Sequence, residues 1–134
     1  RLVESILRAQ GYTTRLSPQG PDGGIDILAG TGTLGFGSPR LCVQVKSQDT
    51  PIEIKALNEL RGAMQSVQAT EGLFVCWGGF QSSITKQGAA SFFTVRLWTQ
   101  KELLEELFSN YDKLDEEIRA EIPLKRIWTV AAQE

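Results

Sequence analysis

Apolar positions along this chain switch repeatedly between a helical and an extended spacing. Leu2, Val3, Ile6 and Leu7 fall on one face of a helix predicted over residues 2–10, which Gly11 ends. Residues 12–16 read as a short strand, and the run SPQGPDGG at 17–24 as a loop. Residues 25–29 predict a strand, 30–39 a glycine-rich connection and 41–46 a second strand. An antiparallel hairpin is the simplest way to pair them. Thr50, Pro51 and Glu53 then predict a helix start, with Thr50 as N-cap, Pro51 in the first helical position and Glu53 completing a capping box. Leu57, Leu60, Met64 and Val67 continue that helix to Gln68. Residues 73–77 form an unbroken apolar strand that Gly78 and Gly79 end.

A further helix starts at Ser82 or Ser83 and runs through Ala89 and Ala90, and residues 93–98 give another strand. Thr99 and Glu102 form a second capping box, ahead of Leu103, Leu104, Leu107 and Phe108. Residues 112–121 read as an acidic helix stopped by Pro123, and 124–130 as a terminal strand or an extended tail. The order α-β-β-β-α-β-α-β-α-α predicts an α/β fold of three layers, a central mixed β-sheet flanked by helices.

With 134 residues, 41% of them apolar, the chain suits one domain with a real core. No apolar run reaches the length of a membrane span. The chain opens on Arg1 without a signal peptide or an initiator Met, so a longer protein with an additional domain is expected around it. Histidine is absent, which excludes a Ser-His-Asp triad and His-ligated zinc within this chain. Cys42 and Cys76 each sit in an apolar run without CxxC spacing. They read as buried thiols, and a cytoplasmic location fits them.

The net charge of -2 argues at first against nucleic acid. Its distribution weakens that objection: residues 101–134 hold nine acids and five bases, and residues 1–100 seven acids and nine bases. A local basic patch on the first hundred residues is compatible with DNA.

Candidate chemistry lies on the hairpin. Side chains alternate along a strand, so Val43 and Val45 share one face, and Gln44 and Lys46 the other. Asp26 interrupts the apolar run at 25–28. If the strands pair, a carboxylate, an amide oxygen and an ammonium converge. Phosphodiester hydrolysis uses these groups: oxygen donors for Mg2+, and an amine beside the phosphate to orient water and stabilise charge. The competing readings are plain. Gln44 and Lys46 are then solvent-facing strand residues, and Asp26 caps a turn.

The stretch GPDGGIDI at 20–27, followed by VQVK at 43–46, resembles the catalytic domain of Mrr-type restriction endonucleases, members of the PD-(D/E)xK nuclease superfamily in its QxK variant. The resemblance extends upstream to the helix ending at Gly11-Tyr12 and downstream through the helix at 51–68, the strand at 72–77 and the Phe80 segment, over roughly residues 1–108. It implies a restriction-endonuclease-like fold, with a nuclease core at 1–109 and a C-terminal helical extension and tail at 110–134. It also implies a Mg2+-dependent endodeoxyribonuclease, a hydrolase cutting DNA in restriction and directed in some relatives at modified DNA. Asp26 is then a metal ligand, Gln44 a second ligand or positioning group, and Lys46 the catalytic lysine.

Members with Gln in this motif are expected to carry a compensating Glu on the first helix. Glu4 is the candidate here, against an exposed first-turn residue favourable to the helix dipole, and against a Glu upstream of Arg1. Asp22 either helps the metal site or orients the loop. Gly23 and Gly24 either let backbone amides approach a phosphate or form a tight turn. Lys55, Arg61, Lys86 and Arg96 are phosphate-contact candidates, each competing with a solvated surface charge. Trp77 and Phe80 line a DNA cleft or belong to the core, and Trp98 and Trp128 are expected to pack on the C-terminal helices. A homodimer is plausible because double-strand cleavage uses two active sites. Two other classes stay open, a DNA-binding module that has lost catalysis and an assembly module built on the acidic helices at 101–121.

Overall fold

The computed structural model describes residues 1–17, 24–86 and 91–132. Helix α1 (Leu2–Ala9) leads into strand β1 (Thr13–Leu16), then β2 (Ile27–Thr31) and β3 (Gly37–Lys46). Helix α2 (Ile54–Ser66), β4 (Glu71–Cys76), the short α3 (Ser82–Thr85) and β5 (Val95–Trp98) follow. Helix α4 (Gln100–Asn110), a 3-10 turn (Tyr111–Lys113) and α5 (Glu116–Glu121) end the regular structure. The five strands form one sheet in chain order. The β1–β2 and β2–β3 pairs are antiparallel, and β3–β4 and β4–β5 are parallel. The sheet is therefore mixed, as the element order predicts.

Alternation along the strands divides the core between the two faces. Val43, Leu73, Val75, Ile27 and Ala29 meet Val3 and Leu7 of α1. Cys42, Phe74 and Cys76 meet Leu57, Leu60 and Met64 of α2 on the other side. Burying one such side chain contributes about 1.5–3 kcal/mol. Helix α1 anchors its layer through Val3 and Leu7, and α2 through Leu57, Leu60 and Met64. A third cluster joins Ile6 of α1 to Leu107, Leu114 and Ile118, so residues 111–122 dock on α1. The Thr99–Glu102 capping box forms as expected and starts α4.

Several expectations differ from the structure. Strand β3 begins at Gly37, inside the predicted glycine-rich connection. Thr31 pairs there with Gly37, beyond a register shift in β2, and a Cβ on Gly37 would strike the Thr31 hydroxyl. These glycines serve close strand approach. Helix α2 starts after Glu53 without a capping box. Ile52, only 3% exposed, pairs with Phe80, donating to the Gly79 carbonyl and accepting from Gln81 N–H. Burial of Ile52 holds residues 51–53 extended against the local helix signal. Val67 lies past the end of α2 and is exposed. Residues 124–132 form a tail without helix or strand and pair with no strand among the described residues. Trp128 is fully exposed on that tail, which overturns its expected packing on the C-terminal helices, whereas Trp98 does pack there. Phe80 joins the core edge-on to Phe74, and Trp77 is half exposed at the end of β4. The expected continuation of the third helix, at 87–90, lies outside the described residues.

Candidate active site

The candidate residues gather where the β2–β3 hairpin meets the C-terminal ends of the parallel strands. Asp26 stands just before β2, and its backbone continues the ladder. Its N–H donates to the Val43 carbonyl at 2.8 Å, and its carbonyl accepts from Ser17 N–H at 2.9 Å. Its carboxylate Oδ2 accepts from Val45 N–H at 2.7 Å. Asp26 therefore grips β3 on both sides of Gln44, by main chain at Val43 and by side chain at Val45. A carboxylate that meets a strand amide gives this end of the ladder a charge-assisted bond. It also fixes where the carboxylate sits.

Gln44 itself is only 3% exposed. Its Oε1 is buried and accepts no hydrogen bond among the described residues. Leaving a buried carbonyl oxygen unmet costs about 1–3 kcal/mol, and none of the described residues donates to it. Gly24, at φ 77°, lies against the same carboxamide. Alternation puts Gln44 and Lys46 on the α2 side with Cys42, as read from the sequence. Lys46 is half-buried and opens on a groove of about 450 Å3 whose other walls include Gln48, Glu53, Lys55, Glu59 and Gln81. Burial, with a smaller contribution from the Asp26 charge, pushes the Cys42 thiol up to about 11.

Of the predicted phosphate contacts, Lys55 is exposed in the first turn of α2 and shares the groove with Lys46. Arg61 is not available in the same way. Its guanidinium donates to the Ser91 hydroxyl and, at 3.5 Å, to Asn58 Oδ1. Arg96 lies 4.4 Å over the Phe92 ring and donates to the Phe92 carbonyl. Lys86 is exposed just after α3. Asp22 and Gly23 lie outside the described residues.

Glu4 is buried, not exposed as its competing reading required. Its Oε1 pairs with Arg8 at 2.8 Å, and its Oε2 accepts from Thr14 Oγ1 at 3.0 Å. Arg8 also pairs with Asp115. Burial works against the Arg8 guanidinium, yet the Asp115 and Glu4 carboxylates together hold it above its ordinary value. Both Glu4 oxygens are thus engaged between α1 and β1.

Sequence reasoning missed Glu53, Glu59, Gln48 and Gln81 as walls of the Lys46 groove. The i,i+4 spacing of Lys55 and Glu59 marked one exposed face of α2. The Gln81 position follows only from the Ile52–Phe80 bridge, which has no local signal.

Among the described residues, no three His, Cys, Asp or Glu side chains cluster to hold a metal. The available donors are one exposed carboxylate and one buried amide oxygen. Both are hard oxygen ligands of the kind that Mg2+ takes while keeping several waters. The orphaned Oε1 is the feature that fits such an ion.

Residues 1–107 match the Mrr_cat family, described as restriction endonuclease. Among curated proteins no sequence relative is found. Solved structures share the fold. The DNA modification-dependent restriction endonuclease AspBHI aligns with a TM-score of 0.63 and 16% identity, over 90% of this chain and 33% of its own. The MspJI restriction endonuclease, solved with a 27-mer oligonucleotide, gives 0.56 and 18%, over 86% and 27%. AF1548, a protein of unknown function, gives 0.61 and 16%, over 90% and 73%. The chain spans about a third or less of the length of the two restriction enzymes.

Proposed function

The chain belongs to the Mrr_cat restriction endonuclease family, and from that premise we propose that it is a Mg2+-dependent endonuclease hydrolysing DNA phosphodiester bonds through Asp26, Gln44 and Lys46. The observation that carries this reading is the grip of Asp26 on both neighbours of Gln44, beside a buried Oε1 to which none of the described residues donates. Asp26 and Gln44 supply the oxygen donors for the divalent ion. When bound, the ion supplies Lewis acidity toward the phosphate. Lys46 offers a positive charge and hydrogen bonds to the non-bridging phosphate oxygens and orients the attacking water. Lys55, on the same groove, contacts a neighbouring phosphate of the strand.

Glu4 is assigned a structural part because Arg8 and Thr14 occupy both of its oxygens. AspBHI is described as modification-dependent. That likeness supports modified DNA as the target and a further domain that reads it. Cleavage of both strands would use two copies of the chain. Two buried free thiols support a cytoplasmic site of action.

One observation favours a second reading, a DNA-binding module without turnover: Gln44 brings an amide in place of a carboxylate, while Arg8 and Thr14 engage the Glu4 that would compensate for it. Nicking of supercoiled plasmid by the full-length protein, with and without Mg2+, separates the two. The nuclease reading expects metal-dependent nicking that Asp26→Ala and Lys46→Ala abolish. Salt-sensitive binding without nicking selects the second reading, and nicking that survives both substitutions rejects the site.

A further inference from the structure

The carboxamide of Gln44 is held in place by a surface that has no side chain. A Cβ built on Gly24 would lie 2.6 Å from Gln44 Nε2, 3.2 Å from Cδ and 3.6 Å from Oε1. The carboxamide therefore fills the space that a side chain at position 24 would enter, with Nε2 nearest. With Gln44 only 3% exposed, the carboxamide has little room elsewhere. A Cβ at Gly24 would push on the far end of a flexible side chain, not on backbone. The fold can yield at that point by moving the carboxamide, with Nε2 displaced first and Oε1 carried along with it.

We propose that Gly24 is a positioning residue for the metal site, fixing the Gln44 carboxamide so that Oε1 faces the ion. This rests on the reading of Gln44 as a metal donor. It gives Gly24 a task separate from its turn conformation and from any phosphate approach by its amide. Two causes for a glycine here must be told apart. The φ of 77° favours glycine whatever lies nearby. The contact with Gln44 instead means that any Cβ displaces the carboxamide, whatever the backbone.

The test uses the full-length protein with Gly24→Ala, Gly24→Asn, Gln44→Ala and the double variant Gly24→Ala/Gln44→Ala. Mn2+ affinity is measured by titration calorimetry, alongside kcat and KM for plasmid nicking. Asn tolerates the left-handed conformation far better than Ala, yet both carry a Cβ. Positioning predicts that both Gly24 variants bind Mn2+ at least ten-fold more weakly. It predicts that kcat falls while KM for DNA stays within about three-fold, and that Gly24→Ala adds nothing in the Gln44→Ala background. Recovery of Mn2+ affinity in Gly24→Asn would assign the glycine to backbone strain and overturn the proposal. So would an equal loss from Gly24→Ala with and without Gln44. If Gln44→Ala weakens Mn2+ binding and neither Gly24 variant does, the positioning role alone fails. If Gln44→Ala leaves Mn2+ affinity unchanged, the metal-donor reading of Gln44 fails and takes the positioning role with it. Should Gly24→Ala fail to fold, Gly24→Asn with and without Gln44→Ala decides the question by the same comparisons.

Discussion

Asp26 Oδ2 accepts the backbone N–H of Val45 at 2.7 Å, so a proposed metal ligand is also a strand partner. The two duties separate by substitution. Asp26→Asn keeps an acceptor for Val45 and removes the charge; Asp26→Ala removes both. We expect both variants to lose Mg2+-dependent nicking by at least about 100-fold. Only Asp26→Ala should lose stability beyond the noise, by about 1 kcal/mol in urea unfolding, because the residue is exposed and water replaces part of the bond. Equal destabilisation by both would mean that the charge, and not the acceptor, holds the strand end.

Lys46 should matter after DNA has bound. Lys46→Met keeps much of the apolar stem that fills the groove wall and removes the ammonium. Nicking is expected to fall about 100-fold or more. DNA affinity in Ca2+, measured by fluorescence anisotropy, should change by less than ten-fold. A loss confined to binding would move Lys46 from the reaction to the phosphate track.

Cys42 gives a signed pH dependence. Its folded-state value is pushed up to about 11, above the ordinary thiol value. A raised value means that the folded state holds the proton more tightly. The thiol's contribution is intact below the unfolded value and is lost as pH rises toward 11, by up to about 3 kcal/mol. Between pH 8 and 11 the wild-type protein should lose stability faster than Cys42→Ala, read from urea midpoints. Ellman's reagent at pH 8 should find neither Cys42 nor Cys76 until denaturant is added, since both are buried. Rapid labelling of the native protein would contradict that placement.

Glu4 and Arg8 test the structural assignment of the first helix. Arg8→Ala leaves the buried Glu4 carboxylate with Thr14 alone and cuts the tie to Asp115. The expected loss is about 1–2 kcal/mol, discounted because Arg8 is itself substantially exposed. Glu4→Gln should lower the melting temperature while nicking at saturating Mg2+ stays within about three-fold. A collapse of nicking with an unchanged melting temperature would restore Glu4 as a ligand.

The hairpin and the two faces of β3 were legible because they follow from strict alternation. Val43 and Val45 meet α1, while Cys42, on the parity of Gln44 and Lys46, meets α2. The Thr99–Glu102 box was legible because its bonds are local. What the sequence hid depends on distant partners. Thr50, Pro51 and Glu53 carry a helix-start signal, but Ile52 is claimed by a bridge to Phe80 across the core. Gly37 to Pro39 reads as loop, and pairing across the hairpin makes it strand. Glu4 reads as a surface residue until β1 and α5 deliver Thr14 and Asp115 to it and to Arg8. The Gly24–Gln44 contact joins residues twenty positions apart, and no local rule anticipates it.

Because Asp26 is stitched to β3 through Val43 and Val45, the proposed reaction centre has no hinge of its own. It cannot fray while the central strands stay zipped, and it cannot survive their separation. Heat inactivation should therefore coincide with melting of the whole domain, and a stabilising change anywhere in the sheet should lengthen the working life of the enzyme without retuning its chemistry.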